Sequence, residues 1–62
     1  MKLQEKRKLA GLSQICLAEK AGISFRTLQD YEQGRRLINK ASGEQLRSLA
    51  VALDCTIEEL LE

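Results

Sequence analysis

The stretch from Gln14 to Gly34 constrains the fold more than any other part of the chain, because it holds two short helical patterns separated by one glycine. Gly22 can adopt a positive φ angle without a steric penalty, which suits a tight turn between two helices. Ser24 follows two residues later and can cap the second helix by accepting a hydrogen bond from an early backbone N–H. The pattern predicts two helices that cross steeply over a turn of three or four residues.

The second of these helices, predicted over Ser24–Gln33, has two chemically different faces. One face is small or apolar and is expected to pack inward; it consists of Ser24, Thr27, Leu28 and Tyr31. The opposite face holds side chains that can hydrogen-bond to base edges, with one exposed phenylalanine: Phe25, Arg26, Gln29, Asp30 and Gln33. A polar outer face is also typical of any amphipathic surface helix. The functional interpretation therefore depends on this helix being second in a helix–glycine–helix pair.

Composition and length predict one small all-α domain over residues 1–62. The chain has no proline, four glycines and two aromatic residues, so aliphatic side chains must fill the core. A chain of this size buries a modest share of its surface and is only marginally stable. Ser42 and Thr56 are each followed three residues later by glutamine or glutamate, the spacing of a capping box. The first box opens an amphipathic helix through Leu53, and the second opens a short final helix. Together with the basic segment 2–10 and the two helices around Gly22, these make five predicted helices.

Charge is distributed unevenly, although the formal net charge is only +1. Residues 1–40 contain nine basic and four acidic residues, for a net charge of +5, whereas residues 41–62 contain one basic and five acidic residues, for a net charge of −4. A basic end is the electrostatic feature that phosphate binding requires. Ordinary surface charge is the alternative explanation.

The sequence gives no support for catalysis or for a metal site. It lacks histidine, and Cys16 and Cys55 do not have metal-ligand spacing. No nucleophile–base pair is apparent, so we expect no enzymatic activity, no cofactor and no small-molecule substrate. No signal peptide or membrane-length apolar run is present, so we expect a cytoplasmic protein that does not bind membranes. The cysteines are expected to stay reduced, with a disulfide between them as the lesser alternative.

Other residues give expectations about packing. Arg7 falls on the inner side of the first helix and needs a carboxylate partner, because burying an unpaired guanidinium costs several kcal/mol. Ile15 and Cys16 are more apolar than the outside of a helix requires, so they are expected to pack within the chain or else to contact another protein. Leu37 and Ile38 are expected to anchor the basic connector to the core.

These features together resemble the lambda-repressor-like helix-turn-helix domain of the Xre/Cro family. The resemblance covers nearly the whole chain and includes Arg7, GLSQ at 11–14, LAEKAGIS at 17–24, TLQDYEQG at 27–34, LRSLAVAL at 46–53 and TIEELL at 56–61. It implies a compact five-helix bundle that binds double-stranded DNA sequence-specifically, usually as a homodimer. It also implies a transcriptional regulator, in most cases a repressor, in the cytoplasm of a bacterium or encoded by a phage.

The resemblance assigns roles to residues around the third helix. The helix over residues 24–33 would enter the major groove and present the base-reading positions, which are Phe25, Arg26, Gln29 and Asp30. Four residues would approach phosphates: Gln14, Gln33, Arg35 and Arg36. Arg7 would pair with Glu32 and so connect the first helix to the third.

The side chains at the base-reading positions have defined bonding capacities. Arg26 can bond bidentately to guanine and Gln29 to adenine, each worth roughly 1–3 kcal/mol of discrimination. Phe25 can contact a thymine methyl group. Asp30 can accept a hydrogen bond from cytosine N4, or it can instead hold Arg26 one helical turn earlier.

A protein-interaction module on the same fold, such as a regulatory or antitoxin-like partner with weak or no DNA binding, is the alternative function. The near-zero net charge and the apolar residues Ile15 and Phe25 fit a protein partner. The acidic C-terminal half, with Leu60 and Leu61, is the candidate dimer surface. Core packing explains these two leucines equally well.

Overall fold

The computed structural model describes every residue from Met1 to Glu62 and confirms an all-α fold without strands. It contains four α-helices, which are α1 (Lys2–Leu9), α2 (Gln14–Ala21), α3 (Phe25–Glu32) and α4 (Gly43–Leu53). One 3-10 turn, Ile38–Lys40, lies between α3 and α4. α2 packs against both α3 and α4. None of the helices combines the length and the hydropathy that a membrane span requires.

Serine caps determine where three of the four helices begin. The hydroxyls of Ser13, Ser24 and Ser42 accept hydrogen bonds from the backbone N–H three residues later, at 3.1, 3.0 and 3.2 Å. Each bond satisfies an N–H that has no partner within its helix. α2 then ends at Gly22, whose φ of +72° confirms the predicted left-handed turn. Most residues with a Cβ would be strained at that angle.

The core is built from leucines that each element contributes. All 13 buried residues are hydrophobic, and five leucines have no exposed surface: Leu3 of α1, Leu17 of α2, Leu28 of α3, Leu49 of α4 and Leu60 near the C-terminus. Tyr31 is also buried and donates a hydrogen bond through its hydroxyl to Gln45 Oε1, which connects α3 to α4. No buried side-chain nitrogen or oxygen lacks a hydrogen-bond partner.

The predicted fifth helix is wrong, and the bundle has four α-helices instead of five. The capping box does form, because the Thr56 N–H donates to Glu59 Oε2 at 2.8 Å and the Glu59 N–H donates to Thr56 Oγ1 at 3.3 Å. That first bond also lowers the pKa of the Glu59 carboxyl, with the Lys6 ammonium adding to the effect. The backbone bonds that follow span three residues, which makes turns and not an α-helix.

A contact from a distant segment explains why this helix does not propagate. The Glu62 N–H donates to Asn39 Oδ1 at 2.8 Å, and Asn39 Nδ2 donates to the Glu62 carbonyl at 2.9 Å. A single helical turn fixes several dihedral angles for one hydrogen bond, so a short segment gains little from becoming helical. The bond to Asn39 therefore takes the Glu62 N–H, which a final helix would have used.

Three apolar residues, Ile15, Cys16 and Leu37, lie at the surface and do not pack within the chain, which for Ile15 and Cys16 leaves the alternative of a contact with another protein. Ile15 is 57% exposed and Cys16 is exposed, because both face away from the inner stripe of α2, which includes Leu17. Leu37 is 60% exposed, whereas Ile38 is buried as predicted. The extended backbone at Leu37 turns successive side chains to opposite sides, so only Ile38 can anchor the connector.

Candidate nucleic-acid interface

A nearly buried ion pair joins α1 to the last turn of α3. Arg7 Nε donates to Glu32 Oε2 at 2.7 Å and Arg7 Nη2 donates to Glu32 Oε1 at 3.0 Å. The third donor, Arg7 Nη1, binds the Leu12 carbonyl oxygen at 2.9 Å. The two charged side chains are only 11% and 1% exposed. A bidentate, charge-assisted pair of this kind fixes geometry as well as adding binding energy, so it orients α3 relative to α1.

Gln14 shares the carboxylate of that ion pair. Its Nε2 donates to Glu32 Oε1 at 2.9 Å, which holds the first residue of α2 against the last residue of α3. The Gln14 amide still has a second N–H and its carbonyl oxygen to offer to a ligand. The family resemblance implies a pair between Arg7 and Glu32 and a ligand contact at Gln14, but no local pattern reveals that one carboxylate serves both.

The inner and outer faces of α3 differ as the sequence predicts. Leu28 has no exposed surface and Tyr31 is 3% exposed, so the inward packing of these two residues is confirmed, whereas Ser24, the N-cap, is exposed and Thr27 is half-buried. On the opposite face, the Arg26 side chain is 79% exposed and Phe25 is 40% exposed, whereas Gln29 is half-buried. The exposed polar and aromatic groups are thus presented on a rigid helix.

Asp30 lies among three arginines on this surface. Its Oδ1 is 3.7 Å from Arg26 Nε and 3.4 Å from Arg35 Nη1, and its Oδ2 is 3.8 Å from Arg36 Nε. The Asp30 side chain is 15% exposed, while the arginine side chains are 57–79% exposed. The contact with Arg26 is one of the two roles that the sequence leaves open for Asp30. The contacts with the other two arginines are not apparent from the sequence.

The turn after α3 explains how Arg35 and Arg36 reach Asp30. Gly34 adopts a φ of +80°, and the chain then folds back over the end of the helix. The backbone N–H groups of Arg35 and Arg36 both donate to the Asp30 carbonyl oxygen, at 2.8 and 3.1 Å. These bonds fix the two arginines beside the last turn of α3. Gln33, the helix C-cap, is exposed next to them.

The candidate surface consists of the outer face of α3, the start of α2 and the turn after α3. It includes all eight residues predicted to contact DNA: Gln14, Phe25, Arg26, Gln29, Asp30, Gln33, Arg35 and Arg36. Gln14 is hydrogen-bonded to Glu32 of α3, and Arg35 and Arg36 contact Asp30 of the same helix. Its chemistry is that of arginine and amide side chains, which bind phosphates and base edges. No group of three or more potential ligand residues is placed to hold a metal ion.

Comparison with known proteins identifies one matching family. The model of a family described as "Helix-turn-helix" matches residues 3–60 of the chain. The matched range contains every residue of the candidate surface as well as the Arg7–Glu32 pair. No curated protein and no solved structure matches this chain.

Proposed function

Because this chain belongs to the lambda-repressor-like helix-turn-helix family of DNA-binding transcription regulators, we propose that it binds double-stranded DNA sequence-specifically and acts as a repressor. In this proposal α3 enters the major groove. The two-faced character of α3 is the observation that supports it, because Leu28 has no exposed surface while the Arg26 side chain is 79% exposed. An exposed polar face on a helix anchored by its other face is what insertion into a groove requires.

The residues on the outer face of α3 would read the base sequence. Arg26 would donate two hydrogen bonds to a guanine and Gln29 would pair with an adenine, while Phe25 would contact a thymine methyl group. Asp30 occupies the fourth position, where it would accept from a cytosine or keep Arg26 oriented. Arg26 and Asp30 are one turn apart and 3.7 Å from each other, which favours the second role.

Four residues around this helix would bind phosphates and so position it in the groove. Gln14 and Gln33 would donate from their amides, and Arg35 and Arg36 from their guanidinium groups. Gln14 is oriented by Glu32, and the two arginines are 60% and 57% exposed beside the end of α3. Contacts on both sides of α3 would fix its register along the duplex.

A homodimer would supply the affinity that one small domain lacks. A single module buries only roughly 600–1,000 Å² of protein surface on DNA. Two copies on half-sites about one helical turn apart would double that contact. Leu60 cannot contribute to the dimer surface, because it has no exposed area. The half-buried Leu61 and the acidic residues around it remain candidates.

Selection of bound sequences from a pool of random duplexes tests the proposal. We expect the recovered sequences to share a palindromic consensus, since a symmetric dimer recognises two inverted half-sites. Binding should also weaken steeply as salt rises, because phosphate contacts release counterions. Failure to retain any duplex at about 50 mM salt would contradict the proposal.

Replacing Arg26 with alanine is expected to relax the preference at one base pair, by roughly 1–3 kcal/mol, because a bidentate base contact is lost. The fold should be unaffected, since the side chain is 79% exposed. Competition binding with duplexes substituted at single positions would measure the preference, and circular dichroism would report the fold. Arg47→Ala, which removes an exposed arginine of α4, is the matched control and should leave every preference unchanged.

Replacing Arg36 with alanine is expected to weaken binding to specific and random duplexes alike. A phosphate contact contains no sequence information, so its loss should flatten the dependence of log K on log salt concentration by about 0.9. Titrations at several salt concentrations would give this slope. A loss restricted to one sequence would assign Arg36 to base reading instead.

A protein-interaction module is the second candidate function, and the exposure of Ile15 favours it. This isoleucine is 57% exposed on α2, next to the exposed Cys16 and one residue after Gln14. Burying this apolar side chain against a partner protein would be favourable, because it would remove apolar surface from water. The salt-dependent binding experiment separates the two functions, because a protein-interaction module would bind duplexes weakly or not at all.

A further inference from the structure

The group formed by Asp30, Arg26, Arg35 and Arg36 combines one carboxylate with three guanidinium groups on the proposed DNA surface. Both carboxylate oxygens are occupied, with Oδ1 between Arg26 and Arg35 and Oδ2 beside Arg36. Three guanidinium groups and one carboxylate give the group a net charge of +2. All three guanidinium groups contact the Asp30 carboxylate, an anion that the chain itself supplies. A carboxylate and a phosphodiester present the same kind of anionic oxygen to arginine.

These contacts are loose compared with the other arginine–carboxylate contact of the structure. Arg7 and Glu32 are joined by bonds of 2.7 and 3.0 Å, and both are nearly buried. The arginines around Asp30 approach it at 3.4–3.8 Å and are more than half exposed. Exposed pairs of this kind contribute little to stability and are screened by salt. The exposed guanidinium groups can therefore turn from the Asp30 carboxylate, itself 15% exposed, toward another anion.

The backbone positions of the three arginines do not depend on the carboxylate contacts. The N–H groups of Arg35 and Arg36 bind the Asp30 carbonyl oxygen, which belongs to the helix, and not its carboxylate. Arg26 lies within α3 itself. Loss of the carboxylate contacts would therefore leave all three guanidinium groups within reach of the same place.

We infer that Asp30 is the internal ligand of an anion site formed by Arg35 and Arg36 beside the base-reading Arg26, and that a phosphate oxygen of duplex DNA displaces its carboxylate from these two arginines on binding. The inference rests on the proposed DNA binding, and it adds that the Asp30 carboxylate competes with a DNA phosphate for the arginines. Asp30 lowers the affinity for duplexes of every sequence, because the arginines exchange one anion for another instead of gaining one. Contacts to base edges then make up a larger share of the binding energy, which makes binding more sequence-specific.

The test is to replace Asp30 with asparagine, which keeps the shape of the side chain and removes its charge. We expect Asp30→Asn to bind a short random-sequence duplex about tenfold more tightly than the wild type at about 50 mM salt. The slope of log K against log salt concentration should change by less than about 0.9, the contribution of one phosphate contact, because the wild type makes the same contact once its carboxylate is displaced. Fluorescence anisotropy at several salt concentrations measures both quantities.

Asp54→Asn is the matched control, because it makes the same chemical change and the same change in net charge at an exposed residue that forms no ion pair. Asp54 is the C-cap of α4 with a φ of 54°, a left-handed angle that asparagine also tolerates. Its random-duplex affinity should change by less than about twofold. Equal effects of the two substitutions, or weaker binding by Asp30→Asn, would overturn the inference.

Elution from immobilised heparin separates failure of this inference from failure of the proposed function. If the wild type and both variants bind no duplex, the proposed DNA binding fails, but heparin still presents anions to the three arginines. Asp30→Asn should then elute at higher salt than Asp54→Asn, and co-elution would refute the anion site itself. Adding Arg36→Gln to Asp30→Asn should reverse part of the gain, because one of the released cations is removed.

Discussion

Replacing Glu32 with alanine is expected to destabilise the protein by about 3–5 kcal/mol, the usual result of leaving one charge of a buried pair without its partner. Arg7 would keep its bond to the Leu12 carbonyl but lose both bonds to the carboxylate. Gln14 would lose its anchor as well. A domain of this length has a total stability of roughly 3–9 kcal/mol, so the loss is a large fraction of the whole. Urea denaturation followed by circular dichroism would measure it.

Two controls separate the ion pair from a general effect of removing a glutamate. Glu19→Ala removes an exposed glutamate from α2 and should change stability by no more than about 0.5 kcal/mol. The double variant Arg7→Met/Glu32→Leu removes both charges and should recover much of the loss, since apolar replacements of buried pairs are often tolerated. Equal unfolding midpoints for Glu32→Ala and Glu19→Ala would show that the pair does not stabilise the fold.

The Glu32 carboxylate also links stability to function. It is the acceptor for Arg7 of α1 and for Gln14 of α2, and it belongs to the last residue of α3. The three helices therefore meet at one side chain that does not itself face the proposed ligand. A change at Glu32 would displace the Gln14 amide even in molecules that remain folded.

The parts of the fold that depend on local spacing can be predicted from the sequence. Ser24 lies at the right distance after Gly22 for a turn and a cap, and a cap needs nothing beyond a few neighbouring residues. The two faces of α3 follow from the helical period in the same way. The need of Arg7 for a carboxylate is likewise a local conclusion, because it follows from the side of the helix on which the arginine lies.

Contacts between distant segments account for what the sequence does not reveal. The capping box at Thr56 is a true local signal, yet the bonds between Asn39 and Glu62 take the place of the helix that it predicts. The ring of arginines around Asp30 likewise depends on the fold-back after Gly34, whose path the spacing of the residues does not specify. Local patterns thus locate the candidate surface, but the contacts that organise it depend on tertiary structure.

Replacing Leu28 with alanine is expected to destabilise the protein by about 2–5 kcal/mol, because truncating this fully buried leucine of α3 would leave a cavity in the core. Phe25→Ala is the matched control on the same helix. Phe25 is 40% exposed on the outer face, so its removal should cost about 1 kcal/mol or less. Similar costs for the two substitutions, measured by urea denaturation, would mean that the inner and outer faces of α3 are assigned wrongly.

The Leu28 variant also distinguishes loss of fold from loss of recognition. Its apparent DNA affinity should fall in proportion to the folded fraction, since only folded molecules present α3. An osmolyte that favours the folded state should therefore restore binding by Leu28→Ala as it restores the circular dichroism signal. Arg26→Ala stays folded, because that side chain is 79% exposed, so the same osmolyte should leave its altered base preference unchanged. Recovery of both variants would show that Arg26 acts through stability and not through contact with a base.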